Sequence, residues 1–548
     1  MATEQWRSLL PVTRQTVSCR MRDGVRLDAD LYRPETDAPL PVLLMRQPYG
    51  RAIASTVVYA HPRWYAAQGY LVVMQDVRGR GSSEGEFRLF EDERNDGQDS
   101  LHWAAQLPGS NGRVGMYGFS YQGMTQLYAA EARLDCLKVI CPAMLAGDLH
   151  RHWAYEGGAF RLQLNLAWAI QLAAESARRR GDAESYRRLA QAAANLPLGG
   201  DRPDDAALLA ELEPESFYFD WLRETNPDSD YWQCLNPRLD GIDLPMLHIG
   251  GWFDPYLRGT IDLFERLWQQ SAQPQQLWVG PWAHLPWGRA LAGQDYGPEA
   301  CSPIDRVQLA WFDHYLKDGP LPLQSEPLQL FDLGTRQWRS LPDWPQGTCR
   351  WYLDSNGLAG MRQDDGRLQP QPPSRAVEDW FVHDPWRPVP ALGGHNSFSV
   401  GSPDRRELDS RSDLLVYRSA PLSVPLTLVG PIRVELSVET EVPSLDLQVV
   451  LSRETASGSV QSLSQGFRRL CPSRDGQPLG VDLQPICCTC EVGDRLRLSL
   501  AAAAWPAFAV NPGTGQDPHR SRRIEALPYA VGLRHGPDGA TRLQLAML

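Results

Sequence analysis

The stretch Arg113-Val-Gly-Met-Tyr-Gly-Phe-Ser120-Tyr-Gln-Gly123 limits the folds open to this chain more than any other. Val114, Met116 and Phe119 make a short apolar strand. Gly115, Gly118 and Gly123 remove side chains where that strand must double back, and residues 124–132 (MTQLYAAEA) are good helix formers. A serine on such a strand-to-helix turn projects its hydroxyl from the end of a sheet. Amide N–H groups at the helix start lie beside it and can receive developing negative charge. The stretch departs from the pattern G-x-S-x-G: Gln122 takes the last position and the glycine follows at Gly123. Glycine-rich turns without catalysis are common in α/β proteins, so Ser120 needs partners elsewhere.

The flanking sequence supplies an α/β frame. Residues 16–34 alternate apolar and polar around Asp23-Gly24, which predicts a hairpin. Residues 40–46 (LPVLLMR) and 69–76 (GYLVVMQD) are continuous apolar runs, as in strands buried on both faces. Helical patterns at 62–68 and 91–107 and a strand at 137–141 complete an alternation with parallel-sheet spacing. From about residue 146 the composition turns to Leu, Ala, Arg and Glu at helical spacing, a helical insertion. Strand signals return at 244–250 and 276–280, and the amphipathic segment 306–317 is expected to close the core. Beyond residue 346, short strands separated by Gly, Pro, Ser and Asp indicate a β-sandwich, with 361–376 a surface loop. The expected division is 1–145 and 240–345 for the two parts of the core, 146–239 for a cap above the carboxyl ends of its strands, and 346–548 for the sandwich.

A serine hydroxyl needs a base within hydrogen-bond reach, and the base needs a carboxylate to orient it. In this kind of sheet both follow the serine, on loops after later strands. Asp254 comes just after the strand 244–250, and His284 just after 276–280. The rivals fit less well. His248 lies within an apolar strand, His314 on an amphipathic helix, and His150 and His152 at the start of the cap. Asp243 sits at the wrong end of its strand and Asp262 in the following helix. The oxyanion of acyl transfer must meet donors already aimed at it. The N–H of Tyr121 is one candidate and the hydroxyl of Tyr49, on the loop after 40–46, is the other. Trp153, Tyr155, Trp252, Phe253 and Trp287 are candidates for a pocket wall.

Composition sets outer limits. With 548 residues the chain should hold two to four domains of roughly 150 residues each. Its net charge of −12 argues against a nucleic-acid or anionic-membrane partner. No run of about 18 apolar residues is present, and the N-terminus lacks a signal-peptide pattern, so a cytoplasmic location is expected. The cysteines are scattered; Cys487, Cys488 and Cys490 cluster without a CxxC partner and read as buried free thiols. No metal or cofactor is expected, and the sequence is compatible with a homo-oligomer.

Five motifs in this order resemble the cocaine esterase family, which belongs with the X-prolyl dipeptidyl peptidases and the α-amino acid ester hydrolases. They are Arg46-Gln-Pro-Tyr49, Gln75-Asp-Val-Arg-Gly-Arg-Gly-Ser-Ser-Glu-Gly85, Gly118-Phe-Ser-Tyr-Gln-Gly123, Gly250-Gly-Trp-Phe-Asp254 and Gly280-Pro-Trp-Ala-His284. The resemblance extends to Trp311–Lys317 and to the segment 384–394. It implies an α/β-hydrolase core, a helical cap and a C-terminal jelly roll. It implies Ser120 as nucleophile, His284 as base, Asp254 as its orienter, and Tyr49 with the Tyr121 amide as oxyanion hole. In that family Gln122 is no anomaly, and Asp76 and Arg78 read as buttresses. The expected reaction is transfer of an acyl group to water through an acyl-serine, on a small ester, amide or short peptide. A dipeptidyl peptidase needs an anchor for the substrate amine and often an added N-terminal helical domain. An α-amino ester hydrolase needs acids near the pocket, for which Glu156 and Asp295 are candidates.

Overall fold

The computed structural model describes residues 10–52, 56–200, 202, 205–320, 326–396, 398–471 and 478–548. The first nine residues, read above for a leader pattern, lie outside that set. The predicted hairpin is β1 (Val12–Arg20) and β2 (Arg26–Pro34), paired antiparallel from Val12↔Pro34 to Arg20↔Arg26. Next come β3 (Leu40–Gln47), α1 (Pro62–Ala67), β4 (Leu71–Asp76), α2 (Glu93–Ala105), β5 (Ser110–Phe119), α3 (Tyr121–Ala130) and β6 (Leu137–Ala143). A small ribbon, β7 (Tyr155–Glu156) with β8 (Ala159–Phe160), opens the insertion. Five helices follow it: α4 (Leu162–Arg180), α5 (Ala183–Ala194), α6 (Ala207–Leu212), α7 (Phe217–Arg223) and α8 (Asp230–Leu235). The core resumes with β9 (Met246–Phe253), α9 (Leu257–Gln270) and β10 (Gln275–Ala283). A second ribbon, β11 (Ala290–Leu291) with β12 (Gln294–Asp295), leads to α10 (Ile304–Lys317), β13 (Leu328–Asp332) and β14 (Gln337–Leu341).

These core strands form one ten-stranded sheet in the order β1-β2-β4-β3-β5-β6-β9-β10-β13-β14. The strands from β4 to β13 in that order pair parallel, and the outer pairs at both edges are antiparallel. The two apolar runs read as doubly buried are so in fact. Val42 and Leu44 of β3 pack with α2 and α3, while Leu43 and Met45 meet α1 and α10 on the other face. One expectation fails: α10 does not close the core, because β13 and β14 follow it and extend the sheet. The local pattern could not reveal this, since a short strand at a sheet edge looks the same as one in the next domain.

The remaining strands are β15 (Gly347–Asp354), β16 (Arg367–Gln369), β17 (Val377–His383), β18 (Leu414–Ser419), β19 (Leu426–Thr440), β20 (Leu445–Glu454), β21 (Val460–Leu470), β22 (Leu479–Cys490), β23 (Arg495–Ala501), β24 (Tyr529–His535) and β25 (Arg542–Met547). They form an eleven-stranded β domain, in which the short β16 interrupts the segment read as loop. Its apolar core merges with that of the hydrolase sheet. Leu257, Ile261 and Phe264 of α9 share one buried cluster with Leu428, Leu447 and Leu483. The β domain therefore packs directly on the helix that follows Asp254.

Candidate active site

Ser120 is the residue of the turn itself: β5 ends at Phe119 and α3 starts at Tyr121. Its φ of 60° and ψ of −126° place a non-glycine residue in sparsely populated backbone space, at a cost of about 1–3 kcal/mol. The neighbouring backbone enforces it. Ser120 N donates to Ala143 O at 2.8 Å, and Ser120 O accepts from Gly123 N and Met124 N at 2.9 and 3.0 Å. Gln122 has a local reason to stand where glycine is usual. Its Oε1 folds back to accept from Phe119 N at 3.3 Å and ties off the turn. The close approach falls instead at Gly123, where a Cβ would lie 2.4 Å from Leu145 Cδ2.

Asp254 and His284 stand directly after β9 and β10, at the same end of the sheet as Ser120. Both strands run three residues further than their apolar patterns, so each side chain leaves its strand without an intervening loop. Asp254 is fully buried. Its Oδ1 meets His284 Nδ1 at 2.8 Å, and its Oδ2 accepts from Tyr256 N at 3.1 Å. That pairing fixes the imidazole tautomer and leaves Nε2 as the nitrogen that can take a proton.

A circuit of aromatic contacts closes around these groups. The Phe119 ring lies 5.3 Å from the His284 imidazole, and the Tyr256 ring lies 5.1 Å from it. Tyr256 stacks on Trp153 at 4.3 Å, Trp153 meets Trp168 at 5.4 Å, and the Trp168 Nε1 donates to the Tyr49 hydroxyl at 3.1 Å. Burial pushes the Tyr49 phenol up to about 12, while Trp168 and the Ser120 side chain draw it back down. Since an indole N–H can only donate, Tyr49 keeps its own proton to give. The first N–H of α3, on Tyr121, has no acceptor within the helix. Two donors thus flank the serine.

Buried polar groups hold each donor. Gln47 Oε1 accepts from Tyr49 N at 2.8 Å, and Gln47 Nε2 donates to Asp76 Oδ1 at 2.9 Å. Asp76 also accepts from Arg51 N and pairs with the Arg51 guanidinium. On the other side, the Tyr121 hydroxyl donates to Glu93 Oε1 at 2.7 Å, and Arg46 pairs with Glu93 Oε2 at 2.5 Å. Arg78 braces α2 and the first hairpin through Asp96 and Asp23, at 2.7 and 2.8 Å.

The five pocket candidates divide. Trp153 is in the circuit, and Trp287 stands beside it, 5.9 Å from Phe119, with Nε1 donating to His284 O at 3.2 Å. The other three are engaged elsewhere. Tyr155 stacks on His150 and donates to Trp221 O inside the cap. Trp252 donates to Phe331 O, and Phe253 packs with Tyr296 in the cluster shared with the β domain. Trp168 and Tyr256 were missed. Tyr256 lies two residues past Asp254, a signal that could have been used. Nothing in the helical pattern of α4 marks Trp168.

Three of the four rival histidines have structural partners. His248 Nε2 meets Gln275 Oε1 at 2.9 Å, and burial pushes its pKa down to about 4. His314 Nδ1 meets Gly319 O at 2.8 Å, and His150 Nε2 meets Thr225 O at 3.1 Å. The two acids considered as amine anchors are engaged as well. Glu156 Oε2 accepts from Arg161, His395 and Asn396, while Arg258 reaches its Oε1. Asp295 is exposed on the second ribbon and paired with Arg289. Cys487, Cys488 and Cys490 are buried free thiols on β22.

An elbow serine, a carboxylate-bound imidazole and preset donors at one end of a parallel sheet define a serine hydrolase of the α/β-hydrolase class. Comparison with known proteins agrees. Residues 23–286 match the family model of the X-Pro dipeptidyl-peptidase (S15 family), and residues 323–539 match that of the X-Pro dipeptidyl-peptidase C-terminal non-catalytic domain. A cocaine esterase from Rhodococcus sp. (strain MB1 Bresler) is 29% identical over 96% of this chain and 97% of its own. Two solved structures share the fold at 23% identity, each over 98% of this chain and 97% of theirs. One is an aminopeptidase from a marine sediment Thaumarchaeota archaeon, with a TM-score of 0.84, and the other an α-amino acid ester hydrolase, with a TM-score of 0.81. In both halves the chain is thus similar to the cocaine esterase and X-prolyl dipeptidyl peptidase (S15-type) family.

Among the described residues no helix is long and apolar enough to cross a membrane.

Proposed function

We propose that this serine hydrolase works through Ser120, His284 and Asp254, with Tyr49 and the Tyr121 amide as oxyanion hole, and that it cleaves esters of neutral, bulky apolar acids. His284 takes the Ser120 proton as the hydroxyl attacks the acyl carbonyl, and passes it to the departing alcohol. Water then repeats the exchange and releases the acid. The developing oxyanion meets the Tyr49 hydroxyl and the Tyr121 N–H, donors held in place before the substrate arrives. The single observation that carries this reading is the 2.8 Å bond between buried Asp254 and His284 beside a strained elbow serine.

Two features favour a neutral acyl group over an aminoacyl one. The rings of Phe119 and Tyr256 contact His284, and Trp153, Trp168 and Trp287 extend the apolar surface from them. The carboxylates that could have bound a substrate ammonium, Glu156 and Asp295, are paired with arginines. The division into core, cap and β domain at about residues 146, 240 and 346 belongs to the same proposal, and so does action on small soluble substrates rather than on nucleic acid or membrane.

A fluorophosphonate probe should label the protein once, and Ser120→Ala should abolish both label and turnover. A panel of aryl esters, aminoacyl esters and Xaa-Pro amides should show preference for the first. Label persisting in Ser120→Ala would overturn the nucleophile, and preference for Xaa-Pro amides would overturn the acyl specificity.

A further inference from the structure

Asp254 sits on a segment held largely from outside the hydrolase sheet. Gln484, on β22 of the β domain, donates from Nε2 to Asp254 O at 2.9 Å and toward Trp252 O at 3.4 Å. From the opposite side Arg161, in the cap, donates to Pro255 O at 2.6 Å. Arg258, one turn into the helix that follows, donates to Asp482 O of β22 at 2.6 Å. Three carbonyls within residues 252–255 therefore receive side-chain donors from two other parts of the molecule.

Gln484 is an unusual choice for such a place. It is buried, with 2% of its surface exposed, and its Oε1 has no hydrogen-bond partner among the described residues. An unpaired buried acceptor is destabilising, because it gives up its hydrogen bonds to water and gains none in return. A side chain needed only to fill the gap would avoid that cost by being apolar. What the glutamine provides is its N–H, and the carbonyls it reaches are that of Asp254 itself and that of Trp252, two residues before it.

We infer that Gln484 is a positioning residue for the acid of the triad, so that the β domain takes part in catalysis by fixing Asp254 against His284. This rests on the triad proposed above. Loss of the N–H frees the 252–255 backbone to shift, and the Asp254 carboxylate shifts with it. The bond to His284 Nδ1 then lengthens, the tautomer is less firmly held, and the imidazolium of the transition state loses part of its partner. Substrate contacts are untouched, so kcat falls while KM stays.

Gln484→Met keeps the shape and removes the donor. Rates are measured on an aryl ester and divided by the active sites counted with the fluorophosphonate, so that poorly folded molecules drop out. The expected result is a loss of about tenfold in kcat with KM unchanged. The acid limb of the pH profile should move to lower pH, because the imidazolium has lost support. The same substitution is then made in an Asp254→Asn background. If Gln484 acts through Asp254, its removal there changes kcat by less than about twofold. Wild-type kcat in Gln484→Met, or an equal loss in both backgrounds, would overturn the inference. A fully active Asp254→Asn enzyme would instead overturn the triad assignment.

Discussion

Tyr49 combines a ring packed against the cap with a hydroxyl whose own proton has one direction left. Trp168 occupies a lone pair of that hydroxyl at 3.1 Å, and the burial that raises its pKa to about 12 keeps it protonated at any working pH. It is thus a fixed neutral donor. An oxyanion bonded to such a group in a dry site is stabilised more than the ground-state carbonyl, which is the difference that speeds a reaction. Tyr49→Phe should lower kcat by about 10²-fold, equivalent to about 3 kcal/mol, with little change in KM. Steady-state kinetics on one ester checks this, and unchanged turnover in the folded variant would remove Tyr49 from the oxyanion hole.

The strand-turn-helix of β5 and α3 is where one element sets both stability and chemistry. Gly118 has a φ of 140°, and a Cβ there would stand 2.4 Å from Gln122 Cβ. Gly118→Ala must therefore move the very residue that ties off the turn. It should destabilise the protein by about 1–3 kcal/mol and lower activity per folded molecule, because Ser120 shifts with the turn. Denaturant unfolding read beside active-site titration separates the two effects. This element was fully legible in the sequence because its constraints are local: glycines, an apolar strand and a helix start within eleven residues. Asp254 and His284 were legible for a related reason, each being a polar residue at the end of an apolar run. Trp168 was not. Its role depends on which face of α4 meets Tyr49, 119 residues away in the chain, and a helical pattern does not carry that information. Tyr155, Trp252 and Phe253 went astray in the converse way: adjacency to a site in sequence says nothing about which layer a side chain enters. The strands β13 and β14 were missed because edge pairing is a long-range choice.

Across the whole molecule, Glu156 joins the three packed parts. From the ribbon at the start of the cap, it receives Arg161 at 2.9 Å, Arg258 of α9 at 3.2 Å, and His395 and Asn396 near the β domain at 3.1 and 2.6 Å. Burial alone would raise its carboxyl. The donation from His395 and the charges of Arg258 and Arg161 outweigh that and hold it well below the ordinary carboxylate range. A depressed folded pKa means that this stability is present above the unfolded value of about 4.3 and is lost as pH falls from there toward the folded one. Burial also pushes His395 down, so its share of the slope lies higher, through the ordinary histidine range near about 6.5, again with stability lost on acidification. Glu156→Gln should behave in two distinguishable ways. At pH 7 it should lower the melting temperature, because the buried Arg161 guanidinium and the half-buried one of Arg258 lose their carboxylate, and removing one partner of a buried pair costs about 3–5 kcal/mol. Below about pH 5 the gap to wild type should narrow, since only wild type still has a carboxylate to protonate. Melting curves at pH 7, 5 and 4 would show this. A gap that stays constant or widens at acid pH would mean that the junction is held by packing, with the charge at Glu156 contributing nothing.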